Sequence, residues 1–314
     1  MTARRQAPGA PASHQALFYE SAEDYVGGIL PFLHDGLVAG EPALVAVPGP
    51  RVDLLRASLG GPPGEVSFAD MADVGRNPAR ILPAIRRFTD SHPGRRTRFV
   101  GEPVWPGRPA AEAREATRSE ALLNTAFAGT TTTTILCPYD TAGLDEAVIA
   151  GAMSTHPHVV DRGGCRPSPG YRDPAAALPA DDQLLPGPPG DAEMLAFRGG
   201  ELGRVRGVVE DHARRAGLGP ERVQDLVVAV NEVATNTVVH TGAPGSLRMW
   251  SHPGGVVCEV SDDGHIADPL VGRVMPSARA DGRRGLWLVN QVCDLVELRS
   301  GPSGTTIRLH VLHR

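Results

Sequence analysis

The chain has 314 residues, and all 31 of its basic residues are arginine. The absence of lysine excludes a Walker-type phosphate loop and Schiff-base chemistry, both of which need a lysine amine. A formal charge of −5 argues against generic nucleic-acid binding, and four cysteines with no Cys-x-x-Cys pair argue against a disulfide framework or a four-cysteine zinc site.

Residues 1–13 are a short polar tail without the apolar stretch of a secretion signal. No apolar run approaches the roughly 18 residues of a membrane span, so the expectation is a cytoplasmic protein. From 14 to 165, strand-like runs alternate with helical patterns. The strands are Pro42–Val47, Glu65–Ala69, Thr97–Glu102 and Thr131–Cys137, with helices near 21–39, 51–59, 77–90, 108–127 and 143–154. Strands separated by helices of this length predict a mainly parallel α/β sheet. Residues 166–192 hold seven prolines and read as an interdomain linker.

From 193 the pattern changes. A short strand, Glu193–Phe197, leads to helices over 201–216 and 220–240. Strands Ser246–Ser251 and Gly255–Ser261 follow, joined by a Pro-Gly-Gly turn. After a loop of about 20 polar and small residues comes a helix near Gly285–Cys293. Two final strands, Leu295–Ser300 and Thr305–Leu312, read as a hairpin. The pattern predicts an α+β sandwich of one mixed sheet with helices on one face.

The candidate chemistry of this second domain lies in four places. On helix 220–240, Glu232, Asn236 and His240 recur every fourth residue, off the apolar stripe of Leu226, Val230 and Val233. A carboxylate there can polarise a hydroxyl, and an amide oxygen can bind Mg²⁺. The strand VVCEVSD ends in Asp262-Asp263-Gly264, where a carboxylate can accept the amine of adenine beside a close backbone. The loop ends in Arg283-Arg284-Gly285-Leu286 at a helix start, a phosphate cradle with arginine as the cation.

In that order, NEVATNTVVHTG, VSDDG and RRGLWLVNQVCD resemble the N, G1 and G2 boxes of the GHKL (Bergerat-type) ATPases, in the RsbW-like branch of anti-sigma factors and serine kinases. The resemblance implies ATP and Mg²⁺ as cofactors, with Asn236 on the metal and Glu232 as catalytic base. Asp262 and Gly264 would take adenine, and Gly285 the triphosphate. It also implies a sigma factor and a STAS-type anti-anti-sigma protein as partners, and a homodimer. One departure is that Ile266 replaces the second glycine of the usual Asp-x-Gly-x-Gly.

The first domain says less by chemistry alone. Glu102, Tyr139 and Asp140 collect at the C-terminal ends of predicted strands, where open parallel sheets bind ligands. Arg114, Arg118 and Glu120 read as salt-bridged surface. Cys137, His156, His158 and Cys165 match no usual zinc spacing, and Cys137 reads as buried. Residues 14–160 resemble the MEDS sensory domain of DcmR-type regulators, through HQALFYESAEDY, FVGEPVWPG, EALLNTAF and LCPYD. That implies a small-molecule input. A MEDS domain ahead of such an ATPase domain resembles the RsbA-family anti-sigma regulators. His212 reads as a surface histidine, since no dimerising helical hairpin of a histidine kinase precedes the ATPase core. Two rivals stay open: a non-catalytic anti-sigma binding module, which Ile266 favours, and a small-molecule receptor whose ATPase-like domain is an output clamp.

Overall fold

Near-continuous apolar runs such as Ala43–Val47 belong to strands buried on both faces, and the computed structural model places this one between two parallel neighbours. It describes residues 13–60, 64–129, 133–161, 163–174, 185–275 and 284–313. The chain divides into two units, Met1–Asp181 and Asp182–Arg314.

The first unit runs β1 (His14–Tyr19), α1 (Ala22–Val38), β2 (Ala43–Val47), α2 (Gly49–Leu59), β3 (Val66–Asp70) and α3 (Met71–Val74). A 3₁₀ turn, Pro78–Arg80, leads into α4 (Ile81–Asp90). Then come β4 (Thr97–Gly101), α5 (Ala110–Ala126), β5 (Thr133–Asp140), α6 (Glu146–Thr155), β6 (His158–Asp161) and β7 (Gly164–Pro167). The sheet order is β3-β2-β4-β5-β1-β6-β7, parallel except for the β6–β7 pair. Leu17, Val45, Val100 and Leu136 of the sheet pack under Ile29, Leu33 and Leu55 of α1 and α2.

Every predicted strand and helix of this unit is present. Three strands escaped the sequence reading. β1 lies between β5 and β6; β6 and β7 are only four residues long. β7 also revises the start of the expected linker. Ser168 donates from N to Pro157 O (2.9 Å) and from Oγ to Met153 O (2.7 Å), and Arg172 N donates to Ser154 O (3.0 Å). Residues 164–172 therefore belong to the first unit, while Pro186 O accepts from Arg308 of the second (2.6 Å).

The second unit runs β8 (Glu193–Phe197), α7 (Leu202–Arg215), α8 (Pro220–Thr241), β9 (Gly245–His252), β10 (Gly255–Asp262), α9 (Gly285–Val292), β11 (Leu295–Gly301) and β12 (Gly304–Leu312). Its sheet, β11-β12-β10-β9-β8, is antiparallel at every pairing rather than mixed. Two helices separate β8 from β9, so the chain returns running opposite to β8; a single crossover helix would have made that pair parallel. Val209 of α7, Leu226, Val230 and Val233 of α8, and Val289 of α9 share one core with Leu247, Val256 and Leu309 of the sheet.

His212 is a correction. It is 8% exposed, with Nδ1 3.1 Å from Glu193 Oε1 and Nε2 3.2 Å from Ser251 Oγ. Its place on the buried stripe of α7, beside Val205 and Val209, turns it toward the sheet. Both ring nitrogens are engaged in tying α7 to β8 and β9. Among the described residues, no helix is long and apolar enough to cross a membrane.

Candidate functional site

The polar site of the second unit forms where α8, the end of β10 and the start of α9 meet. Glu232 and Asn236 lie one turn apart on α8, both half-buried at the edge of its apolar stripe. Gly285, the first residue of α9, packs directly on them. A Cβ at Gly285 would lie 2.7 Å from Glu232 Oε2 and 3.5 Å from Asn236 Nδ2. The structure thus brings Glu232, Asn236 and Gly285 together.

Asp262 completes the group from β10. Its Oδ2 accepts from Thr237 Oγ1 (2.6 Å), and its Oδ1 from Gly264 N (2.8 Å). An ionised carboxylate has about four lone-pair positions, so these two contacts do not exhaust what it can accept. Thr237 is a site residue that the sequence reading missed. It is 2% exposed and follows Asn236 directly, on the face of α8 turned to the sheet. A hydroxyl on an otherwise apolar helix stripe, opposite an acid at a strand end, was the signal available.

At Gly264 the constraint is closeness rather than a special φ. A Cβ there would fall 2.7 Å from Thr241 Cγ2 and 2.9 Å from Asp262 Oδ1. Its carbonyl accepts from Thr305 Oγ1 (2.8 Å), and Ile266 N donates to Ser300 Oγ (2.8 Å). The β11–β12 hairpin therefore holds the loop after β10. No non-glycine residue among the described residues has a positive φ, so Ile266 is unstrained, and its side chain packs against the core.

The remaining predicted residues divide. Arg284 is exposed at the N-cap of α9, whose first turn carries no side-chain cap. Arg283 lies outside the described residues. Leu286 is 7% exposed and belongs to the core, so what it offers a ligand is its backbone N–H. His240 is exposed in the last turn of α8.

In the first unit, Glu102 and Asp140 meet through one guanidinium. Arg51, near the start of α2, donates from Nη1 to Glu102 Oε1 (2.5 Å), and its Nη2 lies 3.5 Å from Asp140 Oδ2. The same guanidinium stacks over Tyr19 and Tyr25, 4.9 and 4.8 Å from the ring centroids. Both tyrosine hydroxyls donate to Glu102 at 3.1 Å. Burial pushes the Glu102 carboxyl up to about 7; Arg51 and Tyr25 oppose that rise and Asp140 adds to it.

Tyr139 does not join this group. Successive strand residues point to opposite faces, so Tyr139 shares a face with Cys137 and packs edge-on against His156 at 5.5 Å. There Cys137 and His156 meet His14 and Glu120 rather than His158 and Cys165, and Cys165 is exposed. Glu120 is a second correction, since it is 1% exposed instead of lying on the surface. β1, β5 and the C-cap of α6 enclose this part of α5 through His14, Cys137 and His156.

A sheet layered with three helices, with a polar site at the α8–β10–α9 junction, agrees with a GHKL-like fold, and residues 196–311 match the family of histidine kinase-like ATPase domains. Residues 13–157 match the MEDS family, the methanogen/methylotroph DcmR sensory domain. The chain joins a MEDS domain to a histidine kinase-like ATPase domain, and is a regulatory, kinase-like protein. No curated protein matches it.

Proposed function

We propose that this protein is a cytoplasmic partner-switching regulator of transcription. Its C-terminal domain binds Mg-ATP and phosphorylates a serine of a STAS-type anti-anti-sigma protein, and it alternates that partner with a sigma factor. The observation that carries the reading is the convergence of Glu232, Asn236 and Gly285 beside an Asp262 held by Thr237.

The residues suit the nucleotide. Asn236 offers a neutral, hard oxygen of the kind Mg²⁺ prefers. Asp262, fixed on two sides, keeps lone pairs for the exocyclic amine of adenine, and the missing Cβ of Gly264 lets the backbone come close. The uncapped first turn of α9, with Arg283 and Arg284 before it, favours a polyphosphate. Bound Mg-ATP supplies the transferable phosphoryl group. Glu232 accepts the proton of the partner's serine hydroxyl, and the contact with Gly285 limits where its carboxylate can stand. In the MEDS domain, the Arg51–Glu102–Asp140 group at the C-terminal edge of the parallel sheet is the input site for a small polar ligand.

The test is transfer of radiolabelled phosphate from ATP to STAS-domain proteins of the same organism. Transfer by the wild type and its loss in Glu232→Ala support the proposal. Equal transfer by both proteins would refute the role of Glu232. Mg-ATP binding without any transfer would leave the sequestering module as the better reading.

A further inference from the structure

We propose that the MEDS domain holds one zinc ion in a buried tetrahedral site formed by His14, Glu120, Cys137 and His156. These residues come from the start of β1, the middle of α5, the middle of β5 and the C-cap of α6. All are buried, at 6%, 1%, 0% and 0% exposure, and their ligating atoms lie within 4.8 Å of one another.

Three of the six spacings among these atoms are close to those of a coordination shell. A tetrahedral ion with bonds of about 2.0 Å to N and O and about 2.3 Å to S sets N/O ligands roughly 3.3 Å apart, and an N/S pair roughly 3.5 Å. Here Glu120 Oε2 is 3.0 Å from His14 Nε2 and 2.9 Å from His156 Nε2, and Cys137 Sγ is 3.5 Å from His14 Nε2. Small outward shifts of the two imidazoles would bring both histidine–glutamate spacings to that value.

The outer contacts aim the ligand atoms. His156 Nδ1 lies 2.8 Å from Ala152 O, a carbonyl that can only accept, so the ring proton sits on Nδ1. His14 Nδ1 lies 3.0 Å from Asn124 Oδ1, and the Asn124 amide is oriented by its Nδ2 donating to Thr155 O (2.6 Å). Both imidazoles therefore turn the Nε2 lone pair inward, the arrangement typical of metal-bound histidine. Nε2 of His156, fully buried, has no hydrogen-bond partner among the described residues despite its closeness to Glu120. A buried polar atom left this way is costly unless a ligand satisfies it.

Two imidazoles, a thiolate and one carboxylate suit a borderline-soft ion such as Zn²⁺ rather than Mg²⁺ or Ca²⁺. Four protein ligands close the shell, so the ion holds β1, α5, β5 and α6 together instead of activating water. On binding, a Zn–S bond forms as the Cys137 S–H bond breaks and its proton leaves to solvent; nothing is oxidised or reduced.

The test uses the full chain and is independent of any kinase activity. Protein expressed in zinc-supplemented medium should contain one zinc per chain. After chelation and Co²⁺ addition it should show intense tetrahedral bands and a thiolate-to-cobalt charge-transfer band. That band should vanish in Cys137→Ser. Asn124→Ala should keep the band but weaken cobalt affinity about 10- to 100-fold. Substoichiometric zinc and cobalt in the wild type, an octahedral spectrum, or a charge-transfer band surviving in Cys137→Ser would each overturn the proposal. If Cys137→Ser does not fold, X-ray absorption of the wild-type zinc protein decides: one sulfur at about 2.3 Å supports the site, and a sulfur-free shell overturns it.

Discussion

Gly285→Ala separates folding from chemistry. Gly285 starts α9 without a positive φ, so alanine can adopt its backbone. The new Cβ would stand 2.7 Å from Glu232 Oε2, where ordinary contact begins at 3.4 Å, a shortfall of about 0.7 Å. Its other near neighbours, Asn236 Nδ2 at 3.5 Å and Glu232 Cβ at 3.7 Å, are already at ordinary distance. The group that must yield is thus the end of one flexible side chain, and the core is untouched. Alanine also gains up to about 1 kcal/mol over glycine in a helix, so thermal unfolding should shift by no more than about 3 °C. A catalytic group displaced by most of an ångström loses on the order of 10²-fold in rate. The expected result is an unchanged Tm with phosphoryl transfer down about 100-fold. Transfer within about threefold of wild type would refute the placement of Glu232. A Tm loss above about 10 °C would refute the packing argument.

Other outcomes follow from single contacts. Thr237→Val keeps the shape but removes the donor to Asp262 Oδ2; a bond to a charged group is worth about 1.5–3 kcal/mol, so Tm should fall and ATP should bind more weakly, by differential scanning fluorimetry and calorimetry. Arg308 donates from Nε and Nη2 to buried Glu259 at 3.0 and 2.6 Å, and Arg308→Ala should cost about 3–5 kcal/mol in denaturant unfolding by leaving that carboxylate largely unpaired. For Glu102, the folded-state pKa of about 7 lies above the ordinary 4.5. The folded state therefore holds this proton more tightly, and the group's contribution is full below pH 4.5 and is lost as pH rises to 7, by about 3 kcal/mol. Unfolding at pH 5 and pH 8 should show that loss in the wild type and not in Glu102→Gln; equal slopes in the two would contradict it.

What the sequence made legible follows from the range of each signal. The helices and most strands announced themselves because periodicity and turn residues act within a dozen positions. The three boxes are local strings as well, so Glu232, Asn236, Asp262 and Gly285 could be named as candidates from the sequence. β1 was hidden because its six residues include polar His14 and Gln15, both buried beside β5 and β6. The proline count overstated the linker, because prolines mark breaks in helices and strands, not loss of contact: Ser168 and Arg172 still fold back onto α6. Tyr139 was grouped with Asp140 by closeness in sequence, although strand alternation separates neighbours. The histidine–cysteine cluster could not be found by spacing at all, because His14 and Glu120 are 106 residues apart and only the sheet order joins them.

The central question is whether the C-terminal site holds Mg-ATP through Asn236. Isothermal calorimetry of the full chain with ATP, with and without Mg²⁺, measures this in wild type and in Asn236→Ala. The expected result is Mg²⁺-dependent binding in the wild type, and in Asn236→Ala a residual affinity that Mg²⁺ no longer raises. No binding in the wild type, or the same Mg²⁺ dependence in both proteins, would contradict it.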